Sequence, residues 1–188
     1  MQRMQHWQEI VEQYTHVTDR LERGIDPGIF EMVVALNVLG IHTAASCEGH
    51  LDHGIAAPWI DIENPEADPF TKIAYRRFDT AEEGSSEARQ ESIKETEHAR
   101  LAAKRLHLRE RQKLVPYLDR FYNQRSTSYE QRLILNQSEW GGTLRLESQG
   151  ADCQDVLVEE ERRQNLAAYQ QEMQQFMLFL KDEYFREA

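Results

Sequence analysis

With 188 residues, 40% of them hydrophobic, the chain is long enough to bury one core, and a single domain spanning residues 1–188 is expected. Its formal net charge of -11 excludes a protein that coats nucleic acid or anionic lipid with its whole surface. No apolar run approaches the roughly 18 residues of a membrane helix, and "MQRMQHWQEIVEQ" lacks the apolar stretch of a secretory signal, so a cytoplasmic chain with no membrane partner is expected. In that setting Cys47 and Cys153 are expected as free thiols.

Trp7, Ile10, Val11, Tyr14, Val17 and Leu21 recur at helical spacing and predict a first helix that ends near Gly24. A second helix is predicted over 27–39, with Asp26 as its cap, Pro27 in its first turn, Ile25 and Phe30 at the spacing of a hydrophobic staple, and Gly40 as its stop. "IHTAASC" then reads as a short buried strand. "PWIDIE" reads as a second strand, with Ile60 and Ile62 on one face and Trp59 and Asp61 on the other.

Residues 63–85 carry Pro65, Pro69 and the polar run "DTAEEGSS", which predicts an irregular, mobile excursion. A long charged helix follows over 86–124, with Leu101, Leu108, Val115 and Tyr122 forming a seam, Leu118 supporting it, and Pro116 kinking or interrupting it. "RLILNQSEWGGTLRLES" predicts a hairpin that reverses at Gly141 and Gly142, with Leu133 and Leu135 on one strand, Leu144 and Leu146 on the other, and Trp140 either packed over the sheet edge, the favoured reading, or exposed as a binding aromatic at the loop tip. A last helix carries the stripe Leu166, Tyr169, Met173, Phe176, Met177, Leu180 and Tyr184, with Glu159, Glu160 and Glu161 on its N-terminal side. This order of elements predicts an α+β fold: a small antiparallel sheet of about four strands, covered by helices on one face.

The loop "TAASCEGHLDHG" joins the first two strands and holds the densest set of reactive groups in the chain. Cys47, His50 and His53 follow the spacing C-x2-H-x2-H, a thiolate and two imidazoles suited to zinc. Three protein ligands leave a position for water unless His42 or Asp61 closes the set. A second reading makes Cys47 a nucleophile and His50 its base, with amides around Gly49 as oxyanion donors. A third has Ser46, the Gly49 amide and His50 gripping a phosphate or carboxylate, with Asp61 also a ligand-binding candidate. The alternative without a site makes Cys47 a small buried residue, Gly49 a positive-φ turn, His50 a brace to backbone carbonyls, and Glu48 and Asp52 solvated.

"LGIHTAASCEGHLDHGIAAPWIDI" resembles a segment shared by many uncharacterised bacterial proteins, in which a helix, a glycine, a T-x-x-S-C-x-G-H strand and turn, and a P-aromatic-apolar strand follow one another. Ser46, Cys47 and Gly49 are also similar to the S-S-C-S-G-R segment of the methyltransferase family of tRNA wybutosine synthesis, with His50 where that family has arginine. The first resemblance implies a purposeful loop, and the second implies S-adenosylmethionine chemistry on RNA.

The leading expectation is therefore a metal or small-ligand site at Ser46–His53, with zinc as the candidate cofactor and enzymatic activity among its readings. Its rivals are a helical interaction protein and an RNA-associated methyltransferase-like enzyme. A homodimer would use the Leu101, Leu108 and Val115 seam or Phe179 and Phe185. Arg100, Lys104, His107 and Arg111 align on one helix and could track a phosphate backbone, but a solvated face or internal partners for the acidic segments is the favoured reading, so nucleic acid is not the expected partner.

Overall fold

The computed structural model describes residues 1–73, 86–137 and 143–186. The first helix, α1, spans Gln2–Thr15 and stops well before Gly24. Thr15 Oγ1 donates back to the Val11 carbonyl at 2.8 Å, while Asp19 Oδ1 accepts from the backbone N–H groups of Leu21 and Arg23 at 2.7 and 2.9 Å. A carboxylate that satisfies nearby amides in this way competes with helical hydrogen bonding. Residues 18–24 consequently close a reversal in which Thr18 bridges to Gly24, and Val17 and Leu21 stay 42% and 69% exposed. Trp7 alone of the expected stripe is fully buried, with Ile10, Val11 and Tyr14 packed partly against the core.

Helix α2, Pro27–Val38, forms where its flanking residues predict it. It is buried almost all round, from Ile29 through Val38, as befits a helix enclosed by its neighbours. Gly40 ends it at φ +70°: its N–H reaches the Asn37 carbonyl and the Ile41 N–H reaches that of Leu36, both at 3.0 Å. This Schellman arrangement delivers Ile41 into the core and points the chain toward the sheet.

The sheet is antiparallel, with β1 (Thr43–Cys47), β2 (Trp59–Ile62), β3 (Leu133–Gln137) and β4 (Leu144–Ser148) in the order β1-β2-β4-β3. The α+β architecture is thus the expected one. The first strand is not buried, however: it is an edge, its register slips between Thr43 and Ala45, and Ala44 and Ala45 are exposed. Its alanines make it read as apolar, yet so little side chain gives no drive for burial. β2 lies inside the sheet as predicted, with Ile60 and Ile62 fully buried among core residues. The hairpin of β3 and β4 also forms, although its tip, with Trp140, Gly141 and Gly142, lies outside the described residues. Of the expected excursion, 65–67 form a 3-10 turn capped by the Asn64 side chain, 68–73 are helical, and 74–85 lie outside the described residues.

Helix α3 runs unbroken over Ser86–Asn123, through Pro116. That proline is exposed, so the carbonyl it leaves without an intrahelical donor faces water, and the expected interruption does not occur. The expected seam is displaced too. Leu101 and Leu108 are 42% and 43% exposed, while the buried stripe is Ala99, Ala103, His107, Glu110, Leu114, Leu118 and Phe121. Two polar residues in its middle hide this stripe from a hydrophobicity pattern.

Both are held by specific bonds. Asn64 donates its backbone N–H to His107 Nδ1 at 3.1 Å and its amide to Glu110 Oε1 at 2.9 Å, and Lys113 Nζ joins Glu110 Oε1 to the Gly40 carbonyl at 2.9 and 2.7 Å. This network fastens α3 to the end of α2 and to the turn after β2. It also removes His107 from the proposed phosphate-tracking line, because the imidazole is fully buried. Other cations of this stretch meet carboxylates, Arg109 with Glu66, Arg120 with Glu183 and Arg125 with Glu172.

The last helix, α4 (Glu159–Arg186), buries its whole expected stripe: Met173, Phe176, Met177, Leu180 and Tyr184 join the main core, while Tyr169 packs in a separate cluster with Ala57 and Ala151. Among the described residues, no helix is long and apolar enough to cross a membrane.

The burial of His107 makes a pH prediction. Desolvation holds its imidazole below the ordinary value of 6.5, opposed by the Glu110 carboxylate. The unfolded chain therefore binds a proton that the folded chain refuses, so this contribution to stability is present above about pH 6.5 and is lost as pH falls below it. His107→Gln should flatten the loss of urea resistance between about pH 7 and about pH 5. Equal slopes in the two proteins would show that His107 contributes nothing to acid sensitivity.

Candidate functional site

Asp26 precedes α2 at the capping position, but its side chain does not cap that helix. Its Oδ2 accepts instead from the Glu48 backbone N–H at 3.1 Å and lies 3.5 Å from His50 Nε2. Glu48 supplies the cap in return: its Oε2 accepts from the Gly28 N–H at 2.7 Å. Glycine at 28 leaves room for this bond: a Cβ there would stand 2.7 Å from the same oxygen, and the Glu48 carboxylate would have to shift.

Gly49 makes the next turn. Its φ is +84°, and a Cβ there would fall 2.6 Å from the Ala57 carbonyl carbon, so conformation and space both demand glycine. The loop is then pinned from α4, by Gln170 Nε2 donating to the Glu48 carbonyl at 3.0 Å and Arg162 Nη2 donating to the Leu51 carbonyl at 3.3 Å.

Three ligand types converge as a result. Cys47 Sγ, a ring nitrogen of His50 and a carboxylate oxygen of Asp26 lie within 4.8 Å of one another. A second set, His50, Asp52 and His53, meets the same limit. The two imidazoles stack with centroids 4.2 Å apart, and His53 Nδ1 lies 2.9 Å from Asp52 Oδ1. Cys47 and His53 do not share a group: the chain reversal at Gly49 turns His50 toward Asp26, and His53 lies exposed beside His50.

Asp26 went unrecognised because its position and type spell a helix cap. Only the carboxylate at Glu48, able to cap in its place, signals otherwise. Asp61 and His42 do not complete the set. Asp61 binds Arg145 Nε and Nη2 at 2.7 and 2.9 Å on the sheet, and His42 Nδ1 lies 3.7 Å from Glu110. Of the other anion-binding candidates, Ser46 lines the cavity described below, while the Gly49 amide is engaged with Cys47 Sγ at 3.4 Å.

Burial pushes the Cys47 thiol up, the Gly49 N–H pulls it partly back, and Asp26 raises it again. A thiol held in its protonated form beside a carboxylate is a poor free nucleophile. A bound cation reverses that logic, since it stabilises the thiolate and the carboxylate together.

The trio opens on a cavity of about 350 Å³ between β1 and the connection from α1 to α2. Tyr14 lies at its inner side, its hydroxyl donating to Asn37 Oδ1 at 2.7 Å, and Arg23, paired with Asp19 at 3.2 Å, lies toward solvent. The volume suits a small molecule or a short stretch of a larger one. No family model, curated protein or solved structure matches the chain.

The crossed caps carry a stability prediction. Glu48→Ala should lower the unfolding free energy by about 1 kcal/mol, the usual cost of a lost helix cap, and Glu48→Gln should recover most of it. Urea unfolding of the three proteins measures this; an alanine variant as stable as the parent would mean that the Glu48 bond to α2 contributes no stability.

Proposed function

We propose that the chain binds a divalent transition-metal ion, zinc foremost, through Asp26, Cys47 and His50, and acts as a metal-dependent hydrolase on a substrate held in the adjoining cavity. The observation that carries this reading is the convergence of sulfur, nitrogen and oxygen donors from two separate segments: Asp26 at the start of α2, and Cys47 and His50 at the end of β1 and in the loop that continues it. Such a donor set suits zinc, and three protein ligands leave a coordination position facing the cavity. A zinc ion there would supply Lewis acidity and an acidified water.

The residues around the trio have supporting roles in this reading. The Glu48 N–H fixes the Asp26 carboxylate, which would present an oxygen to the ion. Stacking on His53 and the 3.3 Å bond from the His50 N–H to the Ile55 carbonyl limit the motion of His50. The Asp52 and His53 pair, exposed beside His50, is placed to exchange protons with solvent.

Elemental analysis of the purified protein should find near one zinc per chain, with the metal lost in Asp26→Asn, Cys47→Ala and His50→Ala and retained in His53→Ala. Zinc affinity should rise with pH, because binding displaces the Cys47 proton that burial retains. A metal-free chain whose melting temperature is unmoved by added zinc would sink the proposal. Loss of metal in His53→Ala with retention in Asp26→Asn would restore the ligand trio read from sequence spacing.

A further inference from the structure

We infer that the substrate of this site is an extended peptide, docked through its backbone on the free edge of β1. The inference rests on the metal reading for its chemistry, but the docking surface stands on separate observations.

All five residues of β1, Thr43 through Cys47, line the cavity. Past the register slip at Thr43–Ala45, side chains in the strand alternate between faces, so a cavity over one face would meet only every second residue of Ala45–Cys47. A cavity that meets five in succession lies against the strand's edge, where unpaired N–H and C=O groups project. The sheet order agrees: β1 is terminal, pairs only with β2, and among the described residues no backbone group pairs with its outer side.

Open edges are usually blunted by charges, proline or a covering element. Thr-Ala-Ala-Ser-Cys has neither charge nor proline, its register slip is confined to Thr43–Ala45, and its alanines, both exposed, leave room beside the backbone. Opposite β1 stands the 17–26 connection, with a gap between that no described element fills. An added strand satisfies such an edge by backbone pairing, while neighbouring pockets read its side chains.

The strand ends at Cys47, one of the proposed ligands. A peptide paired along β1 would therefore pass Cys47, and zinc held by the trio would supply Lewis acidity toward its carbonyls. Cleavage there adds water across the amide: the water oxygen bonds to the carbonyl carbon, the C–N bond breaks, and a proton passes to the leaving nitrogen, with no change of oxidation state. Only water is consumed.

The test incubates the full chain, loaded with zinc, with a degenerate library of acetylated, amidated hexapeptides, and reads retained and cleaved species by mass spectrometry after filtration. Asp26→Asn should retain peptides uncut. Ala45→Arg, placed at an exposed position, should reduce retention by about tenfold with zinc content unchanged. A library carrying N-methyl groups at alternate amides should show the same loss on the unaltered protein, which keeps the test valid even where a variant folds poorly.

Zinc-loaded protein that retains and cuts no peptide, or equal retention of the methylated library, overturns the inference while leaving the metal site intact. Peptide retention by a chain that binds no zinc supports the docking edge and overturns the metal reading instead.

Discussion

The structure around the candidate site depends on one exchange: Asp26 holds the amide of Glu48, and Glu48 holds the amide of Gly28. A helix start leaves several N–H groups without internal partners, and an aspartate at that position would ordinarily satisfy one of them. Here a residue 20 positions away in sequence does so, which ties the first turn of α2 to the loop after β1. Each bond contributes only about 1 kcal/mol, yet a domain of this size is stable by only about 5–15 kcal/mol, so the pair is a real fraction of the total. Its larger effect is geometric. Asp26 is freed from its own helix and turned toward Cys47 and His50.

The same exchange marks the limit of what the sequence discloses. Helix α2, the β2 pattern, the hairpin and the stripe of α4 were legible because apolar periodicity, Gly40 and Pro27 act locally. Helix α1 was overextended because Val17 and Leu21 keep the helical spacing, while the aspartate that ends the pattern, Asp19, acts through side-chain bonds that periodicity does not register. The seam of α3 was misplaced for a complementary reason: His107 and Glu110 are buried by virtue of partners on other segments. The loop was legible as a candidate site, with Cys47 and His50 in it, because reactive residue types crowd there. Asp26 was not, because partnership across a turn leaves no spacing to read.

Cys47 shows how burial and coordination oppose each other. Without a cation, its thiol is raised by desolvation and by the nearby carboxylate, and the Gly49 amide offsets only part of this. The unfavourable meeting of a would-be thiolate with Asp26 is what a divalent ion would relieve. Such local tension suits a binding site better than a scaffold, where an alanine in place of Cys47 would pack with less conflict.

The open edge of β1 has a consequence for the protein in bulk solution. An uncapped strand is also a template for a second copy of itself, and the strand sequence contains nothing that repels one. The safeguard is instead global: a chain of net charge -11 opposes the approach of its own kind at long range. Ionic strength then becomes a control on colloidal behaviour. As added salt shortens the Debye length to roughly 3 Å near 1 M, the repulsion fades while backbone pairing does not, and the concentrated protein should move toward edge-to-edge assembly.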